Sequence, residues 1–157
     1  MKVCSFTGHR NIPPAHKAAL SKLLERAINY AYEEGCREFR VGGALGFDTE
    51  AAKAVIKFRM SHSDVCLHVI IPCSNQADGW VAQKRAMYDY LLGSADRVSV
   101  LAEQYYDGCM KDRNRRLVED CDMMIAYCSR YASGAGQTVR MAELAGKAVY
   151  NLFSALN

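Results

Sequence analysis

A glycine-rich segment, GGALGFD at residues 42–48, has the residue types of an anion-binding loop. Glycine adopts backbone conformations closed to other residues and lets a ligand approach the main chain closely. A helical pattern begins near Asp48, and the N–H groups and dipole of a helix start favour a phosphate. The alternative is a tight turn in which Asp48 only caps the helix, and spacing alone leaves both open. The candidate binding residues here are Gly42, Gly43, Ala44, Gly46 and Asp48.

A second segment of small residues, SGAGQT at residues 133–138, also precedes a helical pattern. The side chains of Ser133, Gln137 and Thr138 can donate hydrogen bonds, and Gly134 permits close approach of a ligand. Two such loops in one fold fit a phosphate-bearing ligand better than one. An ordinary strand-to-helix turn remains the alternative.

The segment TGHR, at residues 7–10, places a guanidinium two residues after a glycine, directly after the turn. Arginine suits bidentate recognition of phosphate, so Arg10 is a candidate ligand-binding residue together with Thr7 and Gly8. His9 is a candidate hydrogen-bond donor or acid–base group, although a lone histidine is more often structural.

Four further polar or aromatic residues are candidates for the ligand cleft. Asn114 shares a helical stripe with Met110, Leu117, Val118 and Cys121, and we expect that face to be buried. A buried amide needs partners, so Asn114 either braces the fold or faces a ligand, while Arg113 reaches the cleft or solvent. Gln76 is a candidate hydrogen-bonding residue, and Trp80 either stacks on a base or lies at the rim of the core.

Several classes of site are excluded or disfavoured by the sequence. No GxGxxG or GxxxxGK[ST] pattern occurs, so an NAD fingerprint or a P-loop is not supported. Seven cysteines without a CxxC pair fit neither a disulfide framework nor a zinc finger, and we predict reduced thiols and no metal site. A net charge of +3 is too small to indicate nucleic acid, so we expect DNA not to be a partner.

The elements that position these residues alternate along the chain. Strand-like patterns cover residues 2–7, 38–43, 65–71, 97–102, 122–128 and 148–153, and the helical patterns between them include residues 79–92 and 139–145. Such alternation predicts a three-layer α/β/α sandwich, Rossmann-like, with a mostly parallel sheet. Ligands of such sheets bind beyond the carboxyl ends of the strands, where most of the glycine-containing segments fall.

The length and composition predict one domain over residues 1–157. No apolar stretch approaches the roughly 20 residues that span a bilayer, so we expect no membrane insertion. The first residues lack the pattern of a signal peptide, which favours a cytoplasmic protein.

The segments FTGHR, GGALGFDTEAA, IPCSNQADGW, RNRRLVEDCDMMIAY and SGAGQTVRMA occur in the order seen in YpsA-like proteins of the SLOG superfamily. The chain resembles that family from about residue 3 to residue 152. The resemblance implies a Rossmann-like fold that binds a nucleotide or a nucleotide-derived ligand such as ADP-ribose, with no required cofactor. It also implies that residues 8–10, 42–48, 113–114 and 133–138 line one pocket, and that a homodimer can form.

The related LOG phosphoribohydrolases carry the pattern PGGxGTxxE, from which this sequence departs. No glutamate stands where those enzymes have their catalytic residue, and Glu143 follows within about one turn. The sequence therefore favours a nucleotide-binding sensor or regulatory module, with the catalytic residues unknown. The alternative is a hydrolase of an N-glycosidic or phosphate bond, with Asp48, His9 or Glu143 as acid–base groups. A DNA-associated protein, suggested by the related DprA, is a third hypothesis.

Overall fold

The computed structural model of the chain describes residues 2–156. The strands are β1 (Lys2–Gly8), β2 (Cys36–Val41), β3 (Cys66–Ile71), β4 (Arg97–Val100), β5 (Met123–Tyr127) and β6 (Ala148–Asn151). The helices are α1 (Pro14–Glu33), α2 (Phe47–Arg59), α3 (Ala82–Ser94), α4 (Cys109–Val118) and α5 (Gly134–Leu144), and a 3₁₀ turn at Leu152–Ala155 follows β6. This order of strands and helices confirms the predicted alternation.

The six strands form one sheet in the order β4-β3-β2-β1-β5-β6, with every neighbouring pair parallel. From β1 the chain moves outward to β4, and it then returns to the other side of β1 to form β5 and β6. The direction of winding therefore reverses between β1 and β5. In open α/β sheets this switch point is where ligands bind.

Helices cover both faces of the sheet, as the alternating side chains of β5 show. Met123, Ile125 and Tyr127 belong to the core that includes α1, α2 and α3. Met124 packs with residues of α4 and α5, and Ala126 packs with residues of α5. A strand covered on both faces is apolar at every position, because neither face meets water. The predicted three-layer α/β/α sandwich is confirmed.

Several predicted boundaries differ from the structure, and three of the differences have a clear local reason. Helix α3 begins at Ala82 rather than Gly79, because Gly79 has φ +82° and cannot be helical. Strand β6 ends at Asn151, whose side chain accepts a hydrogen bond from the N–H of Phe153 and starts the 3₁₀ turn. Residues 134–138 were expected in a loop but form the start of α5, since Ser133 caps the helix by accepting from the N–H of Gly136 at 3.0 Å.

All seven cysteine side chains are unpaired, and all but Cys66 are buried. The six buried cysteines therefore act as small core residues. Within residues 2–156, no helix is both long enough and apolar enough to span a bilayer.

Candidate functional site

A cleft of about 760 Å³ opens at the switch point, beyond the carboxyl ends of β1 and β5. We call it the switch-point cleft. Most of the predicted binding residues line it: Thr7, Gly8, His9, Arg10, Ala44, Asp48, Gln76, Trp80, Arg113, Asn114, Ser133 and Gly134. Loops that are far apart in the sequence therefore meet at one place, while their contact with a ligand stays a prediction.

A second cavity of about 390 Å³ lies beside the cleft, between the loop after β2 and helices α1, α2 and α3. We call it the side cavity. Gly43 and Gly46 line this cavity and not the switch-point cleft. Gly42, Gln137 and Thr138 line neither space. Both Gln137 and Thr138 lie within α5 and not in a loop. Thr138 is fully buried and donates to the carbonyl of Gly134 at 2.9 Å, whereas Gln137 is on the exposed side of the helix.

Packing within the protein explains why residues 8 and 46 are glycines. A Cβ atom at residue 8 would lie 2.4 Å from the ring of Phe47. At residue 46 it would lie 2.0 Å from the carbonyl oxygen of Arg10, and Gly46 also has φ +83°. These positions need glycine whether or not a ligand binds. Gly134 differs, since no heavy atom stands within 4 Å of its added Cβ and its backbone faces open space.

Arg113 is a buried guanidinium in the wall of the switch-point cleft, with only 6% of its surface exposed. It donates to the carbonyl of Gly42 and, through Nε at 2.8 Å, to Oδ1 of Asn114. Its third contact, from Nη2 to the sulfur of Met110 at 3.9 Å, is weak. Among residues 2–156, no carboxylate lies within 4.0 Å of it. Burial accordingly lowers the pKa of Arg113 from its usual value.

Asp48 is the buried acid of the cleft, and its surface is 6% exposed. Its Oδ2 accepts a hydrogen bond from the N–H of Ala44 at 3.2 Å. Burial raises the pKa of Asp48 to about 6, although the nearby charge of Arg113 and the backbone hydrogen bonds act in the opposite direction. The carboxyl group therefore takes up a proton at a higher pH than an ordinary aspartate does, as the carboxyl groups of general acids and bases often do.

Positive charge surrounds the open side of the switch-point cleft. Arg10 and Arg130 line it and are both exposed. Helix α5 begins at its wall, and within the described chain no acceptor bonds the N–H groups of Gly134 and Ala135. Arginine side chains and free N–H groups at a helix start both favour an anionic ligand.

His9 joins the end of β1 to the loop after β5. The N–H of Ser129 donates to Nε2 of His9 at 2.8 Å, so this nitrogen carries a lone pair and the proton lies on Nδ1. Partial burial lowers the pKa of His9, and the charge of Arg130 lowers it further. The imidazole is therefore neutral at neutral pH and holds the two sides of the switch point together.

Gln76 presents an unsatisfied acceptor at the base of the cleft. Its Nε2 donates to the carbonyl of Gly43 at 3.0 Å, which fixes the orientation of the amide. Its Oε1 is buried and has no hydrogen-bond partner in the part of the chain that the structure describes. A buried carbonyl oxygen without a donor is rare in proteins, and this one lies out of direct reach of a ligand in the cleft because it has no exposed surface.

Two functional expectations are altered by the structure. The face of α4 that carries Asn114 is only partly buried, because Met110 is 40% exposed and Asn114 is half-buried. The buried residue is Arg113, one position earlier, and Asn114 braces it. Glu143, a candidate acid–base group, is exposed and outside the cleft, whereas Asp48 and His9 line it.

Ser129 and Arg130 line the cleft but were not among the predicted binding residues. They follow β5 after one residue, Cys128, just as His9 and Arg10 follow β1. The rule that selected residues 7–10, proximity to the carboxyl end of a central strand, could have found them.

The parallel sheet, the helices on both faces and the cleft at the switch point define a Rossmann-like α/β protein. Residues 9–151 match the YpsA model, described as the YspA SLOG family, and the chain belongs to that family. The resemblance of the sequence segments to YpsA-like proteins is thereby confirmed. A UPF0398 protein of Bacillus thuringiensis (strain Al Hakam) is 27% identical over 145 aligned residues, covering 86% of this chain and 78% of the relative.

Two solved structures share the fold. DNA processing protein A (DprA) of Streptococcus pneumoniae has a TM-score of 0.65 at 20% identity, over 94% of this chain and 49% of that chain. DNA processing protein A of Helicobacter pylori has a TM-score of 0.66 at 20% identity, over 94% of this chain and 63% of that chain. The chain thus spans about half the length of the first protein and less than two thirds of the second.

Proposed function

We propose that this protein binds a nucleotide or a nucleotide-derived ligand in the switch-point cleft and acts as a sensor or regulatory module. The observation that carries the proposal is Arg113, a buried guanidinium without a carboxylate at salt-bridge distance. A cation removed from water gains most from an anion that reaches it, and a phosphate matches the planar fork of its donors. Arg10 and Arg130 add charge to the same space.

The dimensions of the site support a ligand larger than inorganic phosphate. The cleft and the side cavity, at about 760 and 390 Å³, both fall within the roughly 300–1,000 Å³ typical of small-molecule sites. A mononucleotide or an ADP-ribose-like ligand belongs to this class. The absence of a required cofactor, a cytoplasmic location and a homodimer stay predictions from the sequence.

Hydrolysis of the ligand is a second candidate activity, favoured by the raised pKa of Asp48. His9 contributes less to this candidate, because the lone pair of its Nε2 already accepts the N–H of Ser129. Single-stranded DNA is a further candidate ligand, because a protein of the same fold, DprA of Helicobacter pylori, binds single-stranded DNA. The expectation that DNA is not a partner therefore needs its own test.

The first experiment is a thermal-shift screen of the purified protein with AMP, ADP, ATP, NAD and ADP-ribose, followed by chromatography of each mixture. Binding to the folded state raises the melting temperature. We expect at least one ligand to raise it and to be recovered intact. Release of a base or of ribose phosphate would establish the hydrolase instead, and no shift with any ligand would refute nucleotide binding.

A fluorescence-anisotropy titration with a labelled single-stranded oligonucleotide tests DNA at two salt concentrations. Contacts with DNA phosphates make the affinity fall steeply with added salt. We expect the oligonucleotide to bind more weakly than the best ligand of the screen. A tighter, salt-dependent affinity that a nucleotide does not displace would favour the DNA-associated alternative.

A further inference from the structure

Asp48 and Arg113 are the two buried charged residues of the switch-point cleft. Both side chains line the cleft, and each residue is only 6% exposed. Both are also held by the loop after β2, because Arg113 donates to the carbonyl of Gly42 and Asp48 accepts the N–H of Ala44. They border the same space beside Gly42, which a Cβ atom would fill. The acid and the cation are therefore close enough for each charge to act on the other group.

The two groups do not form an ion pair, and Arg113 keeps hydrogen-bond donors for a ligand. In the described part of the chain, no oxygen of Asp48 lies within 4.0 Å of the guanidinium. The guanidinium donates to oxygen atoms of Gly42 and Asn114 and carries more N–H groups than these two bonds use. Nη2 has only its long contact to the sulfur of Met110, which lines the cleft. Nη2 is therefore the donor that an anion in the cleft would meet.

An anion at Arg113 changes the surroundings of Asp48. Burial disfavours the charged form of Asp48, and the charge of Arg113 and the backbone hydrogen bonds oppose that effect. A bound anion neutralises the cation and also brings a second negative charge close to the carboxylate. Two negative groups in one poorly hydrated site resist being charged together, so the pKa of Asp48 rises further above its value of about 6 in the free protein.

The other ionisable groups around Asp48 do not take over the role of Arg113. Burial lowers the pKa of His9 in the cleft and raises the pKa of Tyr88 in α3, so both side chains are neutral near neutral pH. The remaining charged groups are partly or fully exposed, and water screens their charges. They are Arg10 and Arg130 in the cleft and Lys17, Glu50 and Lys84 in the side cavity. Among the residues that the structure describes, Arg113 is the one buried arginine or lysine.

We propose that the switch-point cleft binds its anionic ligand together with a proton, which the carboxylate of Asp48 accepts from the solvent when the ligand reaches Arg113. The carboxylate becomes a carboxylic acid, and no other bond is formed or broken. Because a proton is taken up, the affinity falls as the pH rises from the pKa of Asp48 in the free protein to its higher pKa in the complex. This inference rests on the proposed function, because it requires an anionic ligand in the cleft.

The test uses ADP-ribose as the first probe, because neither of its phosphates gains or loses a proton near neutral pH. Calorimetry at about pH 7, in buffers that differ in ionisation enthalpy, counts the protons taken up on binding. We expect the wild-type protein to take up about half a proton or more for each bound ligand. AMP is the second probe. Its phosphate does titrate near neutral pH, so its own share of the uptake is measured on the Asp48→Asn variant.

Asp48→Asn cannot accept the proton, so we expect its uptake on binding ADP-ribose to disappear. It should bind ADP-ribose as tightly as the wild type does at about pH 5, and about tenfold more tightly at about pH 8, where the wild-type carboxylate repels the anion. Glu143→Gln is the matched control and should keep the wild-type uptake, because Glu143 is an exposed acid outside the cleft. If Asp48→Asn does not fold, infrared difference spectra of the wild-type protein still decide. They distinguish a protonated carboxyl group from a carboxylate and from a protonated His9.

Binding of ADP-ribose without proton uptake would overturn the inference and leave the proposed function standing. An uptake that Asp48→Asn retains in full, with either probe, would assign the proton to another group and would also overturn it. Failure of every nucleotide to bind would refute the proposed function, and the inference with it.

Discussion

Gly42 lies directly behind Arg113, so that a Cβ atom at residue 42 would stand 2.6 Å from Nη1 of that arginine. The same atom would stand 2.9 Å from Oδ2 of Asp48. Because Gly42 has no Cβ atom, the buried side chains of Arg113 and Asp48 can both occupy the space next to it. Gly42 does not line the cleft, but it positions two residues that do.

Gly42→Ala should displace Arg113 and weaken AMP binding by about tenfold, with a loss of stability of about 1–3 kcal/mol from overpacking. Calorimetry and urea unfolding measure the two effects. Gly93→Ala is the control, because no heavy atom lies within 4 Å of its added Cβ, and it should keep affinity and stability within about 1 kcal/mol. Wild-type affinity in Gly42→Ala would show that the position of Arg113 does not matter.

Arg113→Met should separate binding from stability. Removing a buried charge that has no carboxylate at salt-bridge distance relieves its desolvation cost, which offsets the loss of its hydrogen bonds to Gly42 and Asn114. We therefore expect an unchanged or higher melting temperature and a loss of AMP affinity of about 10- to 100-fold, the value of charge-assisted hydrogen bonds. Arg116→Met, an exposed position of the same helix, should change neither. Parallel losses of stability and affinity in Arg113→Met would indicate a structural role.

Asp48 should make the protein less stable as the pH rises from about 4 to 6. Its pKa is raised from 3.8 to about 6 in the folded state, so the folded protein binds the proton more tightly than the unfolded chain does in this window. Asp48→Asn removes this effect. The free energy of unfolding of the variant minus that of the wild type should therefore increase by on the order of 2 kcal/mol as the pH rises from 4 to 6, and it should be constant above that range. Urea unfolding across the pH range measures the difference, and a constant difference would contradict the raised pKa.

His9 should stay neutral at neutral pH with its proton on Nδ1. Because burial lowers its pKa, protonation destabilises the folded state, beginning as the pH falls through about 6.5 and ending below the folded pKa. Protonation also places an N–H on Nε2 against the N–H of Ser129. Nitrogen NMR shifts of the imidazole report the tautomer and the titration midpoint. A midpoint at or above 6.5, or a proton on Nε2 at pH 7, would be inconsistent with this contact.

The architecture was predictable because it depends on periodicity. The apolar runs at residues 65–71 and 122–128 contain β3 and β5, which are covered on both faces. In a parallel sheet, ligands bind beyond the carboxyl ends of the strands. This rule predicted the edge at which the cleft lies, and it identified Arg10 and Ser133, which line the cleft.

Other features depend on tertiary contacts that no local pattern shows. A helical stripe places Asn114 on the inner face, yet Arg113 is the buried residue because the space behind it is left by Gly42, 71 positions earlier. The small residues at 134–138 look like a loop, and only the cap at Ser133 makes them helical. The packing of Gly8 against Phe47 likewise depends on a partner distant in sequence.

The position of β1 in the centre of the sheet affects the way in which the chain folds during synthesis. β1 can pair with β2 as soon as residues 36–40 have emerged, but its other side remains open until residues 123–127 are made. Pairing across so many residues requires closure of a long loop, which slows folding and leaves a strand edge exposed to wrong partners. The cleft lies between these two strands, so its walls come together only after β5 has been made and has paired with β1.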